Sequence, residues 1–159
     1  MHTYERSQTL FVGVDVHKDT HTAVGLSPFG EPLFEKTIGN YEKDFTSLVA
    51  DIDACASSAN LTPFFGLEDV HGYGERLANF LTNTDYRVVY VSPVLVDRQR
   101  GRMTHPEKSD ALDAKGVAQV MIQGIDTLPP YIVSEDAQKS SVLKELSQDR
   151  AYLVVEQTR

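Results

Sequence analysis

The chain has 159 residues, 41% of them hydrophobic and 24% charged, with a formal net charge of −8 and one cysteine, Cys55. That composition suits one globular domain with a real core and at most a short appendage. It excludes an internal disulfide framework, a secretory leader in MHTYERSQTL and any apolar run near the ~20 residues that span a bilayer, so a cytoplasmic protein without a membrane partner is expected.

In chain order, Leu10 to Val16 (LFVGVDV) is short, apolar and β-branched, as in a strand buried on both faces. His21 to Leu26 follows as a second strand, Pro28-Phe29-Gly30-Glu31 as a tight turn, and Leu33 to Ile38 as the third strand of an antiparallel meander. Asn40 is placed to cap a helix whose first turn carries Glu42 and Asp44 and whose apolar face is Phe45, Leu48, Val49 and Ile52. Cys55, among alanines on that helix, reads as a small buried side chain.

Pro63 to Glu68 (PFFGLE) is a further central strand ending in an acid, followed by the turn His71-Gly72-Tyr73-Gly74 and a helix with Leu77, Phe80 and Leu81. Arg87 to Val91 is another buried strand, and Ser92-Pro93 starts a helix. Residues 101–108 read as a mobile loop. Ser109 caps a helix running to about Gln123 and ended by Gly124. The organisation expected is a catalytic domain over 1–126, a linker over 127–133 containing Pro129-Pro130, and the start of a helical coiled-coil segment over 134–159. Val142, Leu146 and Leu153 give that segment a narrow seam for self-association, interrupted by Asp149. A meander followed by alternating helices and strands predicts an α/β fold with a mixed sheet, in the order used by RNase H-like domains.

The chemistry lies in the acids. Asp15 sits inside an apolar strand, where a lone carboxylate costs several kcal/mol unless paired, with Lys18 or an arginine as candidate partners. Glu68 ends its strand where crevices of open α/β sheets form, while alternation puts Asp69 on the other side, as a solvated or capping residue. Asp110 and Asp113 share one helix face, a placement that the helix dipole alone also favours. Four converging carboxylates demand cations, and oxygen ligands without Cys or His select Mg²⁺ or Mn²⁺. Two such ions ~3.5–4 Å apart suit phosphoryl transfer. His17 and His21 flank a strand and turn, so a zinc pair is not expected. His17 and His71 are either polar loop residues or contacts to metal-bound water or phosphate.

An acidic chain argues against nucleic acid as a partner, but metal neutralises ligating carboxylates. Positive charge also concentrates in one stretch containing Arg87, Arg98, Arg100, Arg102 and Lys108. Lys18, Arg98, Arg100, Arg102 and Lys108 are the candidate nucleic-acid contacts.

Three segments, FVGVDVHKDTH, GLEDVHGYG and KSDALDAKGVA, resemble the DEDD-type transposases and recombinases of bacterial insertion sequences, related to the Piv invertase. The resemblance covers about residues 10–125, and its last segment is the most specific. It implies a RuvC-like domain of RNase H type with Asp15, Glu68, Asp110 and Asp113 as catalytic metal ligands. It further implies a bacterial DNA-cleaving and strand-transferring enzyme, using in some members a structured guide RNA. A second domain in that family supplies a catalytic serine, and this sequence ends at Arg159 without one, so strand exchange by this chain alone is not expected. Other readings are a RuvC-like junction resolvase, an actin-like or sugar-kinase-like ATPase domain, and a non-catalytic nucleic-acid-binding and assembly module. The ATPase reading lacks the glycine-rich phosphate turn after Asp15. Of the serines, Ser92 and Ser109 read as helix caps, with Ser109 close to two proposed ligands.

Overall fold

In the computed structural model, which describes residues 5–101 and 109–133, a five-stranded sheet is built around its first strand, β1 (Thr9–Val16). β2 (Thr20–Leu26) and β3 (Pro32–Gly39) join it through short turns that leave room only for antiparallel return. The turn before β3 uses Gly30 at φ +82, with its N–H donating to the Ser27 carbonyl. The later strands, β4 (Thr62–Leu67) and β5 (Arg87–Tyr90), are each reached through a helix, α1 (Glu42–Ala59) and α2 (Glu75–Asn83), and both pair in parallel. The strand order is β3-β2-β1-β4-β5. Two further helices, α3 (Pro93–Arg100) and α4 (Asp110–Gly124), complete the chain as far as a single 3₁₀ turn at Ile125–Thr127.

Alternation along β1 divides the core. Leu10, Val12 and Val14 pack with Phe45, Leu48 and Ile52 of α1 and Leu77 and Leu81 of α2. Phe11 packs on the other face with Val117 and Met121 of α4 and Val96 of α3. Gly13 lies on that second face, and a Cβ there would collide with the Ala114 carbonyl oxygen and the Ala118 amide of α4. Gly66, its partner in β4, lies under the Met121 side chain. The glycine pair lets the α4 backbone sit directly on the sheet.

Several expectations change here. Glu68 falls just beyond β4, which ends at Leu67. The cap of α1 is Tyr41, while the Asn40 amide donates to the Lys18 and Tyr73 carbonyls. Asn40 is recruited to tie two loops together, a tertiary demand that overrides its local preference. Cys55 is half-buried, its thiol donating to the Leu33 carbonyl, because this side of α1 faces the edge of β3. Part of the expected linker is packed: Pro130 bridges Val89, Leu128 and Tyr131 are buried, and the Tyr131 hydroxyl donates to Asn79. The edge of β5 offers unpaired backbone groups, and Tyr131 N–H and Pro129 C=O take them up. Residues 102–108, where a mobile loop is expected, and 134–159, where a coiled-coil segment is expected, lie outside the described residues. Among the described residues no helix is long and apolar enough to cross a membrane.

His21 is fully buried, stacked on Phe45 at 6.2 Å, and among the described residues neither ring nitrogen has a hydrogen-bond partner. Burial, with the nearby charge of His17, holds its pKa below 6.5. A lowered folded pKa means that the unfolded chain takes up the proton first as pH falls. The native state therefore loses stability as pH drops below about 6.5 toward the folded value. His21→Phe is expected to raise stability by about 1 kcal/mol at pH 7.5. Its advantage over the wild type should widen at pH 5.5, as read by urea denaturation at both values. A gap that stays constant or narrows would show that His21 is not buried neutral.

Candidate metal centre

The parity that puts Gly13 and Gly66 under α4 puts Asp15 and Glu68, two residues further along each chain segment, on the same face. Asp15 is 5% exposed at the end of β1. Seated on the glycines, α4 brings Asp110 of its first turn toward Asp15, whereas Asp113 and Glu68 fall outside the one set of ligand atoms that lie together among the described residues. Ser109 caps this helix, its Oγ accepting from Leu112 N–H at 3.1 Å. Ser92 holds the equivalent position before α3, but among the described residues its hydroxyl makes no capping bond, and Pro93 instead presets the first turn.

The partner of Asp15 is His17, two residues on and on the same side of the chain, rather than Lys18. His17 Nε2 lies 2.8 Å from Asp15 Oδ2 and 3.2 Å from Asp110 Oδ1. Period-2 geometry favours i+2 over i+3 for such a contact. Ligand atoms of Asp15, His17 and Asp110 all fall within 4.8 Å of one another, a donor set that fits a divalent cation. The premise that no histidine joins the acids therefore fails.

Burial pushes the Asp15 carboxyl up and Asp110 adds to this, while His17 and Arg100 pull it down. Glu68 is half-buried and likewise raised, first by burial, then by Asp15 and Asp97, so the field of Asp15 reaches it. Burial opposes protonation of His17, yet the Asp15 and Asp110 carboxylates hold its pKa above the usual value. Asp113, 13% exposed, is paired with Arg100 from α3. Asp69 is a turn residue: its carboxylate accepts from the Gly72 and Tyr73 amides at 2.8 and 3.0 Å.

The candidate nucleic-acid contacts separate. Lys18 and Arg98 are exposed, Arg100 is engaged with Asp113, and Arg102 and Lys108 lie outside the described residues. Arg87 lies over the Phe64 ring at 5.8 Å. His71 sits near Tyr131 on the α2 side, and His21 is in the core, so neither joins the cluster. Sequence reasoning missed His17 as a bridge, although D-x-H in a strand signals one. It also missed Asp97, and took Arg100 as a nucleic-acid contact rather than the partner of Asp113; their i, i+3 spacing puts both on one face of α3.

A mixed sheet in this order, with Asp15 and Asp110 brought together where α4 crosses β1, is an RNase H-like arrangement bearing an acidic cluster. A model of the DEDD transposase family of IS110 type, described as transposase, matches residues 12–159, and the chain belongs to that family. Its fold is that of RuvC: the structure of T. thermophilus RuvC in complex with a Holliday junction substrate superposes with a TM-score of 0.53 at 11% identity, covering 77% of this chain and 99% of that one. A second Thermus thermophilus RuvC structure gives 0.47 at 12% identity, over 76% and 98%. No curated protein matches the sequence.

Proposed function

We propose that this transposase domain cleaves and transfers DNA strands at a centre formed by Asp15, Glu68, Asp110 and Asp113, loaded with two Mg²⁺ or Mn²⁺ ions. The observation that carries it is the buried Asp15 carboxylate facing His17 and Asp110 with their ligand atoms within 4.8 Å. Such ions supply Lewis-acid stabilisation of the attacking and leaving oxygens of a phosphodiester. The support for placement is that β1 carries Asp15, Glu68 follows directly on β4, and α4 carries Asp110 and Asp113 in its first turn.

DNA is the proposed substrate, supported by the family and by the junction bound to the related RuvC fold. Lys18, Arg98, Arg102 and Lys108 are proposed phosphate contacts, with Arg100 joining them once it leaves Asp113. A guide RNA and a serine nucleophile in a second domain complete the proposal by family resemblance, self-association through residues 134–159 by the Val142, Leu146 and Leu153 seam, and a cytoplasmic location by the single cysteine. The proposed division keeps the catalytic domain at 1–126 and the helical segment from 134, with residues 128–131 of the linker finishing the catalytic domain's edge.

The test uses labelled branched DNA and the whole chain. Binding that tightens with Mn²⁺ and loosens in EDTA is expected, with no strand exchange by this chain alone. Replacing Arg98, Arg100 and Arg102 with alanine should flatten the salt dependence of binding, by roughly one unit of slope for each phosphate left unneutralised. DNA binding that is absent or indifferent to Mn²⁺ would overturn the reading.

A further inference from the structure

α3 is fastened to α4 at three levels. Val96 is buried at Gly116, where a Cβ would already come within 3.2 Å of its Cγ1. Gln99 bonds Gln119 at 3.3 Å and Gln123 at 2.8 Å. Arg100, in the last turn, reaches Asp113 in the first turn of α4. The first two attachments hold the backbone of α3 in place, so the third can open by side-chain motion alone.

Arg100 therefore stands inside a ring of acids as a resident cation. Its guanidinium neutralises the least exposed carboxylate of α4, and its charge also favours the ionised forms of Asp15 and Glu68. A divalent ion arriving beside Asp113 meets this positive charge at close range, and the two cannot share the cluster without repulsion. At 37% side-chain exposure Arg100 already borders solvent. A planar fork that fits a carboxylate fits a phosphate equally well.

We propose that Arg100 is an exchangeable counter-cation: it holds Asp113 in the metal-free protein, yields that carboxylate to a divalent ion, and passes to a nucleic-acid phosphate. This rests on the metal-centre reading above. The exchange makes Arg100 a positioning residue that couples metal loading to strand binding, and such coupling acts equally in both directions.

The experiment measures Mn²⁺ affinity of the whole chain by electron paramagnetic resonance without nucleic acid, and the affinity for labelled branched DNA with and without Mn²⁺. Arg100→Gln should bind Mn²⁺ about tenfold more tightly than the wild type, within the ordinary range of coupling between sites. Mn²⁺ should tighten DNA binding less in Arg100→Gln than in the wild type. Asp15→Asn separates the two ideas. If it keeps full Mn²⁺ affinity, the metal centre falls and Arg100 exchange with it. If Asp15→Asn loses affinity while Arg100→Gln binds Mn²⁺ no better than the wild type, only the exchange is overturned. A measurement on the wild type guards against a variant that does not fold: ¹⁵N spectra of the arginine side chains should show the Arg100 guanidinium signals shifting as Mg²⁺ saturates the site. Signals that stay in place at saturation would overturn the exchange.

Discussion

Replacing Asp15 with asparagine removes the stabilisation that millimolar Mn²⁺ confers on this chain. At an ion concentration about a hundred times the dissociation constant, binding to the native state alone adds about 2.7 kcal/mol. For a chain of this size that corresponds to a rise in Tm of roughly 5–10 °C. The asparagine variant should show none of it. In EDTA the same variant should melt no lower than the wild type. Asp15 is a buried carboxylate whose pKa burial has raised, so a neutral amide relieves desolvation and can still accept from His17. Differential scanning fluorimetry with and without Mn²⁺ reads both halves. A retained Mn²⁺ shift in Asp15→Asn would remove this carboxylate from the metal centre.

The second large effect belongs to a residue with no chemistry of its own. Gly13→Ala is expected to cost about 3 kcal/mol or more, the upper range for overpacking. The new methyl meets the Ala114 carbonyl oxygen, the Ala118 amide and, at 3.0 Å, the Val117 Cβ. Two of those are helix backbone, which cannot step aside without lifting α4 off the sheet. Lifting α4 carries Asp110 and Asp113 away from Asp15, so Mn²⁺ affinity should fall together with stability. Gly66→Ala is the control. Its methyl meets chiefly Met121, with Sδ at 2.5 Å, and a flexible thioether can swing away. A cost near ~1 kcal/mol is expected there. Urea midpoints of the two variants decide the matter, and equal losses would show that α4 does not depend on close approach at Gly13.

Much of this arrangement is legible in the order of residues alone. Strand alternation in LFVGVDV and PFFGLE places Asp15 and Glu68 on chain segments that end together, and the short loops between the first three strands require a meander. The spacing of Asp110 and Asp113 puts them on one helix face, and Ser109 announces where that helix starts. Gly13 and Gly66, each two residues before an acid, are a further sign, since small residues at matching places in paired strands allow a helix to approach closely. By contrast, nothing local foretells that Asn40 joins two loops, or that Leu128 and Tyr131 seal the β5 edge.

Periodicity and loop length are enough to specify most elements and their succession along the chain, and the cost of a lone buried charge singles out Asp15 among the carboxylates proposed for the centre. What stands among those carboxylates emerges only on folding: His17 bridging Asp15 and Asp110, and Arg100 on Asp113. Folding likewise buries His21 beside Phe45, away from the other histidines. The difference is one of range. A repeat of two or 3.6 residues says which way a side chain points along its own element. The group it meets is set by how helices dock across the sheet, where α4 settles on Gly13 and α3 settles on Gly116.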